Sequence, residues 1–422
     1  MKVLYVGDNR NRLNWGCRAT SIALHDIISE SFSIDHTIYG DISSHYKSYF
    51  DSVIRRFYLA SLVYRVTVRI LRLVSLNIPG LTDYVHVNNV ELTMRSIILR
   101  RRLEPEIKVF MDQLDEVDAL ILNAEGSFIF STPARRDTVF YLALLSIAQS
   151  KGKSTFCING MFSDCPVSAR NSVLIRDTER ILANCTSVTV RDQLSVDYVK
   201  NHLPRIRARY VPDALFKFYQ KSMDFRSIDI NRALAQWPEY PSAIDNFDFD
   251  LPYICVSGSS QAAWDQNSAY KGYKRMISKL QELDLPLLIV PTCKGDAFLK
   301  RVASDLGLPC VDPTSNIFIG MDLLARAEVM ISGRWHPSIM AAMGGVPCVF
   351  LSSNSNKILS LQRMLEYEDS FEFNAIPTLS EIDRIIERVQ YLLANKDSMK
   401  LKIIKRASEL SLASKKYAFE KL

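Results

Sequence analysis

Arg334 and His336 stand two residues apart in Ile331–Leu351, ISGRWHPSIMAAMGGVPCVFL, and their types promise chemistry within this 422-residue chain. Arginine is a planar, permanent cation that grips a carboxylate or phosphate through paired hydrogen bonds, and histidine changes charge near neutral pH. Other chemistry-bearing residues also fall at turns: Asn14-Trp15-Gly16-Cys17, Ala124-Glu125-Gly126-Ser127, Arg191-Asp192 and Pro212-Asp213, with Lys357 just after the polar run Ser352–Asn356. Each has a plain structural reading as well. Arg334 would pair with Glu328 or Asp322, His336 would be a satisfied interior imidazole, and Glu125 would cap the next segment. Asp192 would be the N-cap of a helix through Val199, and Trp15 and Trp335 would be core.

The surrounding sequence has to hold these side chains in place. Glu328–Ile331 reads as a short buried parallel strand that ends in the turn Ser332–His336. Pro337 suits a first helical turn, Ser338–Met343 continues the helix, Gly344-Gly345 ends it, and Val346–Leu351 is the next strand. Ligands bind outside the carboxyl ends of parallel strands, and a helix N-terminus there attracts an anion. The strand–turn–helix pattern recurs: strands at Lys2–Val6, Val117–Asn123, Ser154–Ile158, Ser187–Val190, Arg209–Val211, Tyr253–Val256 and Leu285–Val290, with helices at Thr20–Ile28, Thr138–Gln149, Tyr270–Leu283 and Ile317–Ala325. The first turn lacks G-x-G-x-x-G, so no dinucleotide fingerprint is present.

The expectation is an α/β protein with two doubly wound, Rossmann-like domains facing a cleft. The first spans 1–218 and carries a helical insert over about 43–102. A linker rich in charge and proline covers 219–250, the second domain spans 251–378, and two charged helices over 379–422 pack back on the first domain. Within the insert, Arg55, Arg65, Arg69 and Arg72 share one helical face, which reads either as a basic surface resting on an anionic membrane or as a solvated face or lid.

Hydrophobic residues make up 48% and charged residues 23%, ordinary for a globular chain, and the net charge of +6 suits an acidic substrate or membrane surface without arguing for nucleic acid. No run reaches the roughly 18 apolar residues of a membrane span, and MKVLYVGDN lacks a signal-peptide core, so the expected location is cytoplasmic. The eight cysteines are scattered without C-x-x-C spacing and read as free thiols, with no metal and no cofactor implied.

Several of these turns resemble one family. Ser332-x-Arg334-x-His336 followed by Gly345-x-Pro347, Ser187-Val-Thr-Val-Arg191-Asp192-x-x-Ser195, Pro212-Asp213 and Lys357 are similar to the motifs of the polysaccharide pyruvyl transferase family, whose fold resembles the B-type glycosyltransferases (GT-B). Two turns depart from its pattern. The usual N-x-G-D is Asn14-Trp15-Gly16-Cys17, without the acid, and the glycine-rich turn is Ala124-Glu125-Gly126-Ser127, with an added carboxylate.

The resemblance implies phosphoenolpyruvate as donor and a sugar diol as acceptor, joined as a pyruvyl ketal during polysaccharide biosynthesis. It implies donor binding by Arg334, Lys357, Arg191 and Ser332, and protonation of the donor's methylene carbon by His336. Glu125, or Asp213, would take the hydroxyl proton, while Asn14, Trp15 and Trp335 would contact the acceptor. The rival readings are a GT-B glycosyltransferase using a nucleotide-sugar donor and a non-catalytic glycan-binding protein. The acceptor is a glycan or lipid-linked glycan, and the membrane reading adds peripheral contact at the inner face of the plasma membrane.

Overall fold

The computed structural model describes residues 1–40, 84–102, 104–220, 247–311 and 317–417, with Phe419. The arginine-bearing stretch Ser43–Val74 and most of the linker, 221–246, lie outside the described residues. The first half contains β1 (Lys2–Asp8), β2 (Ser33–Tyr39), β3 (Ala119–Asn123), β4 (Phe128–Phe130), β5 (Ser154–Gly160), β6 (Phe162–Asp164), β7 (Ser187–Val190) and β8 (Ala208–Tyr210). Six of them form one sheet in the order β2-β1-β3-β5-β7-β8, and β4 and β6 pair separately. The second half contains β9 (Ile254–Ser259), β10 (Leu287–Ile289), β11 (Val329–Gly333) and β12 (Cys348–Phe350), ordered β10-β9-β11-β12. Every ladder within the two main sheets is parallel.

Parallel strands covered on both faces must be apolar throughout rather than alternating. β3 (ALILN) and the VMIS run of β11 meet that demand, and every residue of both strands is buried. In each sheet the chain leaves one strand, adds a neighbour on one side, then crosses to the other. These reversals fall between β1 and β3 and between β9 and β11, the places where an open α/β sheet leaves a crevice for a ligand. The first crevice receives the turns at Asn9 and Glu125, and the second those at Ser260 and Arg334.

The two halves share one apolar cluster that includes Trp15, Leu215, Met321, Trp335 and Leu410. The helix Lys396–Ser414 comes back toward the first sheet, and beyond it the Tyr417 hydroxyl donates to Asn159 Oδ1 at 3.0 Å. No described helix is long and apolar enough to cross a membrane.

Several elements begin earlier than the sequence suggests. The helix read from Thr20 begins at Trp15, because Asn14 caps it by accepting from Cys17 N–H at 3.2 Å. The helix read from Pro337 starts at Trp335, so His336 sits in a first helical turn.

Candidate active site

The two crevices open on one cavity of about 180 Å³, lined from the first half by Asn9, Arg12, Asn14, Cys17, Glu125, Arg135 and Arg191, and from the second by Ser260, Arg334, His336, Asn354 and Lys357. Glu125 and His336 therefore face the same space.

His336 is anchored from behind. Its Nε2 lies 3.3 Å from Asp213 Oδ2 and 3.3 Å from Arg191 Nη1. The same carboxylate oxygen accepts from Arg191 Nη1 at 3.0 Å and from Trp335 Nε1 at 2.9 Å, while Oδ1 accepts from Leu215 N–H at 3.0 Å. Burial by itself pushes the Asp213 carboxyl up, yet His336, Arg191 and the Leu215 N–H outweigh it and hold it well below the usual carboxylate range. Asp213 is thus a permanent anion that orients the imidazole. The other face of His336 meets Gly16: a Cβ there would stand 2.4 Å from Nδ1, so only glycine lets the first helix reach the ring.

Arg334 does not pair with Glu328 or Asp322, which are taken by Lys396 and Arg326. Its Nη2 lies 2.5 Å from Asp296 Oδ1, and Nη1 donates to Ser260 Oγ at 3.1 Å. Gly258 makes room for Asp296, since a Cβ there would collide with its carboxylate. Burial opposes the arginine's charge, but Asp296 more than compensates, so Arg334 stays cationic. Lys357 Nζ donates to the same Ser260 Oγ at 3.0 Å and to Asn354 Oδ1 at 2.7 Å, with no carboxylate partner among the described residues. Burial, together with the positive fields of Arg334, Arg191 and Arg135, lowers its pKa to about 7. A group of cations that suppress one another's charge is a site awaiting an anion. The helix from Trp335 has no side-chain cap, so its N-terminal field adds to this attraction.

Across the cavity, Glu125 is held at φ +37°, left-handed backbone that costs a non-glycine residue about 1–2 kcal/mol. Its Oε1 accepts from Asn123 Nδ2 at 3.0 Å and from Asn9 Nδ2 at 3.1 Å. The Cys17 thiol lines the same wall, and burial with the negative field of the nearby Glu125 carboxylate pushes the thiol's pKa well up, keeping it protonated.

Four sequence expectations need correction. Trp15 is fully buried with its ring against Gly320, so it cannot face an acceptor. Trp335 borders the cavity but is only 3% exposed; its N–H is taken by Asp213 and its ring is covered by the Arg191 guanidinium at 4.8 Å, which leaves no ring face for an acceptor. Ser332 is buried, and its hydroxyl accepts from Arg334 N–H at 3.0 Å, shaping the turn instead of touching a donor. Asp213 lies behind His336 with both oxygens engaged, which removes it as the acceptor's base. Asn14 lines the cavity while capping its helix, and Arg191 reaches it with Nη2, which among the described residues meets the Met161 sulfur at 3.8 Å. Ser260, Asn354, Arg135, Arg12 and Asp296 escaped the sequence reading. Ser260 had a signal, since its serine-rich turn directly follows a strand.

A family model described as "Polysaccharide pyruvyl transferase" matches residues 30–355. No curated protein matches the chain. Among solved structures it is similar to UDP-GlcNAc 2-epimerase from Neisseria meningitidis bound to UDP-GlcNAc, at TM-score 0.57 and 13% identity over 98% of each chain. It is also similar to UDP-N-acetylglucosamine 2-epimerase from Rickettsia bellii (TM-score 0.53, 10% identity, 99% of this chain and 97% of that one). The trehalose-6-phosphate phosphatase N-terminal domain from Candida albicans gives TM-score 0.52 at 10% identity, with the same coverage. At such identities the likeness establishes the GT-B-like fold alone.

Proposed function

This chain belongs to the polysaccharide pyruvyl transferase family and is a transferase, and on that premise we propose that it moves pyruvyl from phosphoenolpyruvate to a sugar diol of a glycan or lipid-linked glycan. The observation that carries the reading is the division of the cavity. One wall holds the cations Arg334 and Lys357 on a shared serine with His336 beside them, and the opposite wall holds a carboxylate.

The donor brings a carboxylate and a phosphate. Lys357, the free edge of Arg334 and the uncapped helix start at Trp335 supply charge and N–H groups for them. Arg191 adds a third cation from the first half of the chain. His336 protonates the methylene carbon, leaving positive character on C2. One sugar hydroxyl attacks C2 and loses its proton to Glu125; phosphate then departs, and the second hydroxyl closes the ketal. Two protons are transferred in all. The methylene gains one, the hydroxyls lose two, and the departing phosphate takes up the remainder. Asp213 stabilises the imidazolium and fixes its orientation, as a buried carboxylate does for a catalytic histidine.

Donor thermal shift tests the assignment, because a ligand that binds only the native state raises its melting temperature. Phosphoenolpyruvate at about 100 times its Kd should add about 2.7 kcal/mol of stability. Stabilisation by UDP-, GDP- or CMP-sugars with no response to phosphoenolpyruvate would replace this reading with sugar transfer.

A further inference from the structure

A second pair of cavities, about 340 and 240 Å³, lies outside the active site beside β12, where Tyr367, Asp369, Arg388 and Tyr391 line both. They form one groove between the edge of the second sheet and the helix Leu379–Ala394. Its floor holds an unmet donor: Gln362 is 1% exposed, its Oε1 accepts from Phe371 N–H at 2.9 Å, and its Nε2 has no partner among the described residues. A buried amide donor is costly to leave unpaired, which marks a place for a ligand acceptor.

The rim identifies the ligand's chemistry. Arg384 and Arg388, one helical turn apart and without carboxylate partners among the described residues, lie over aromatic rings. Arg384 is 5.3 Å from the centre of Phe371, and Arg388 is 5.0 Å from that of Tyr391. Both rings remain about half exposed, at 48% and 52%. Asp369 and Glu387 add acceptors to the same rim. A phosphate or other compact anion would meet those carboxylates, and an apolar peptide would leave donors and acceptors unpaired. Hydroxyl groups both donate and accept, and sugar rings present C–H faces to aromatic walls.

We infer that this groove is a second saccharide-binding site that holds the glycan acceptor away from its reacting end. The inference rests on the family's action on polysaccharide, not on the identity of the donor. One element joins the two sites: the helix Lys357–Met364 places Lys357 in the active-site cavity and Gln362 in the groove, about 7.5 Å further along its axis.

Saturation-transfer NMR on the full chain tests this with three neutral tetrasaccharides, of β-galactose, mannose and N-acetylglucosamine. The expected result is transfer to ring C–H protons of at least one at millimolar concentration. That binding should weaken at least tenfold in Tyr391→Ala and in Arg388→Ala, and persist in His336→Asn. Both substituted groove residues are at the surface, so melting temperatures should stay near wild type. Absence of transfer from all three sugars would overturn the inference. So would transfer indifferent to both groove substitutions, or transfer lost in His336→Asn. Turnover plays no part in the readout, so failure of the pyruvyl-transfer chemistry would leave this outcome unchanged.

Discussion

Replacing His336 with asparagine separates a proton-moving histidine from a structural one, and the geometry sets both sides of the comparison. The imidazole's contacts to Asp213 and Arg191 are each 3.3 Å, longer than the roughly 2.9–3.0 Å of a good N–H···O bond. Without His336, Asp213 still accepts from Arg191, Trp335 and Leu215, so no buried charge is orphaned. The folding cost is therefore that of about one hydrogen bond, ~1 kcal/mol, or roughly 2–4 °C in melting temperature. Loss of a positioned general acid costs about 10²–10⁴ in rate, which is ~2.7–5.4 kcal/mol of barrier. Phosphate release from phosphoenolpyruvate, with acceptor saturating, should thus fall at least a hundredfold while calorimetric donor affinity stays within about threefold. Gly16→Ala supplies an independent arm, because its Cβ would stand 2.4 Å from Nδ1 and must push the ring aside. It should lower turnover with the histidine still present. Full activity in His336→Asn, or a melting temperature more than 10 °C below wild type, would refute the assignment.

Three further outcomes follow from the same cavity. Arg334→Lys keeps the charge but loses the planar fork between Asp296 and Ser260, so the donor KM should rise about tenfold with little change in kcat, read from initial rates. Lys357, lowered to about 7, loses its proton as pH climbs from 6 to 8; donor affinity should fall over that window, and donor binding at pH 8 should take up a proton, seen by calorimetry in buffers of different ionisation enthalpy. The apo protein should respond oppositely, because above pH 7 the unfolded chain holds a proton on this lysine that the folded chain has shed, so stability from this group grows with pH; Lys357→Arg should abolish both trends. Glu125→Gln should reduce kcat a hundredfold or more, and adding Cys17→Asp, whose side chain stands beside Glu125, should restore at least tenfold; rates equal to wild type in Glu125→Gln alone would remove it as the base.

The alternating strand–turn–helix order was open to inspection in the sequence because parallel strands covered on both faces must be continuous apolar runs, and ALILN and VMIS are such runs. β2, with its mixed SIDHTIY and partly exposed edge position, carries no such run and went unread. The same limit separates the site residues. Arg334, His336 and Glu125 sit directly after strands, where chain order alone brings them to a carboxyl end. Trp15 and Trp335 lie equally close to those turns in sequence, yet helix phase sends both rings inward, and a helix start misplaced by a few residues reverses that outcome. Pairings between residues far apart in sequence were beyond local pattern altogether. Arg334 meets Asp296 from 38 positions away, and His336 meets Asp213 from more than 120. The two departures from the family's turns show most plainly what distance in sequence conceals. Cys17, where an acid is usual, and Glu125, where glycine-rich backbone is usual, are 108 positions apart in the chain, yet both line the same cavity. What reads as one lost acid and one unexplained carboxylate is a pair of departures that the fold brings to one cavity, Cys17 at the start of a helix and Glu125 at a strand end.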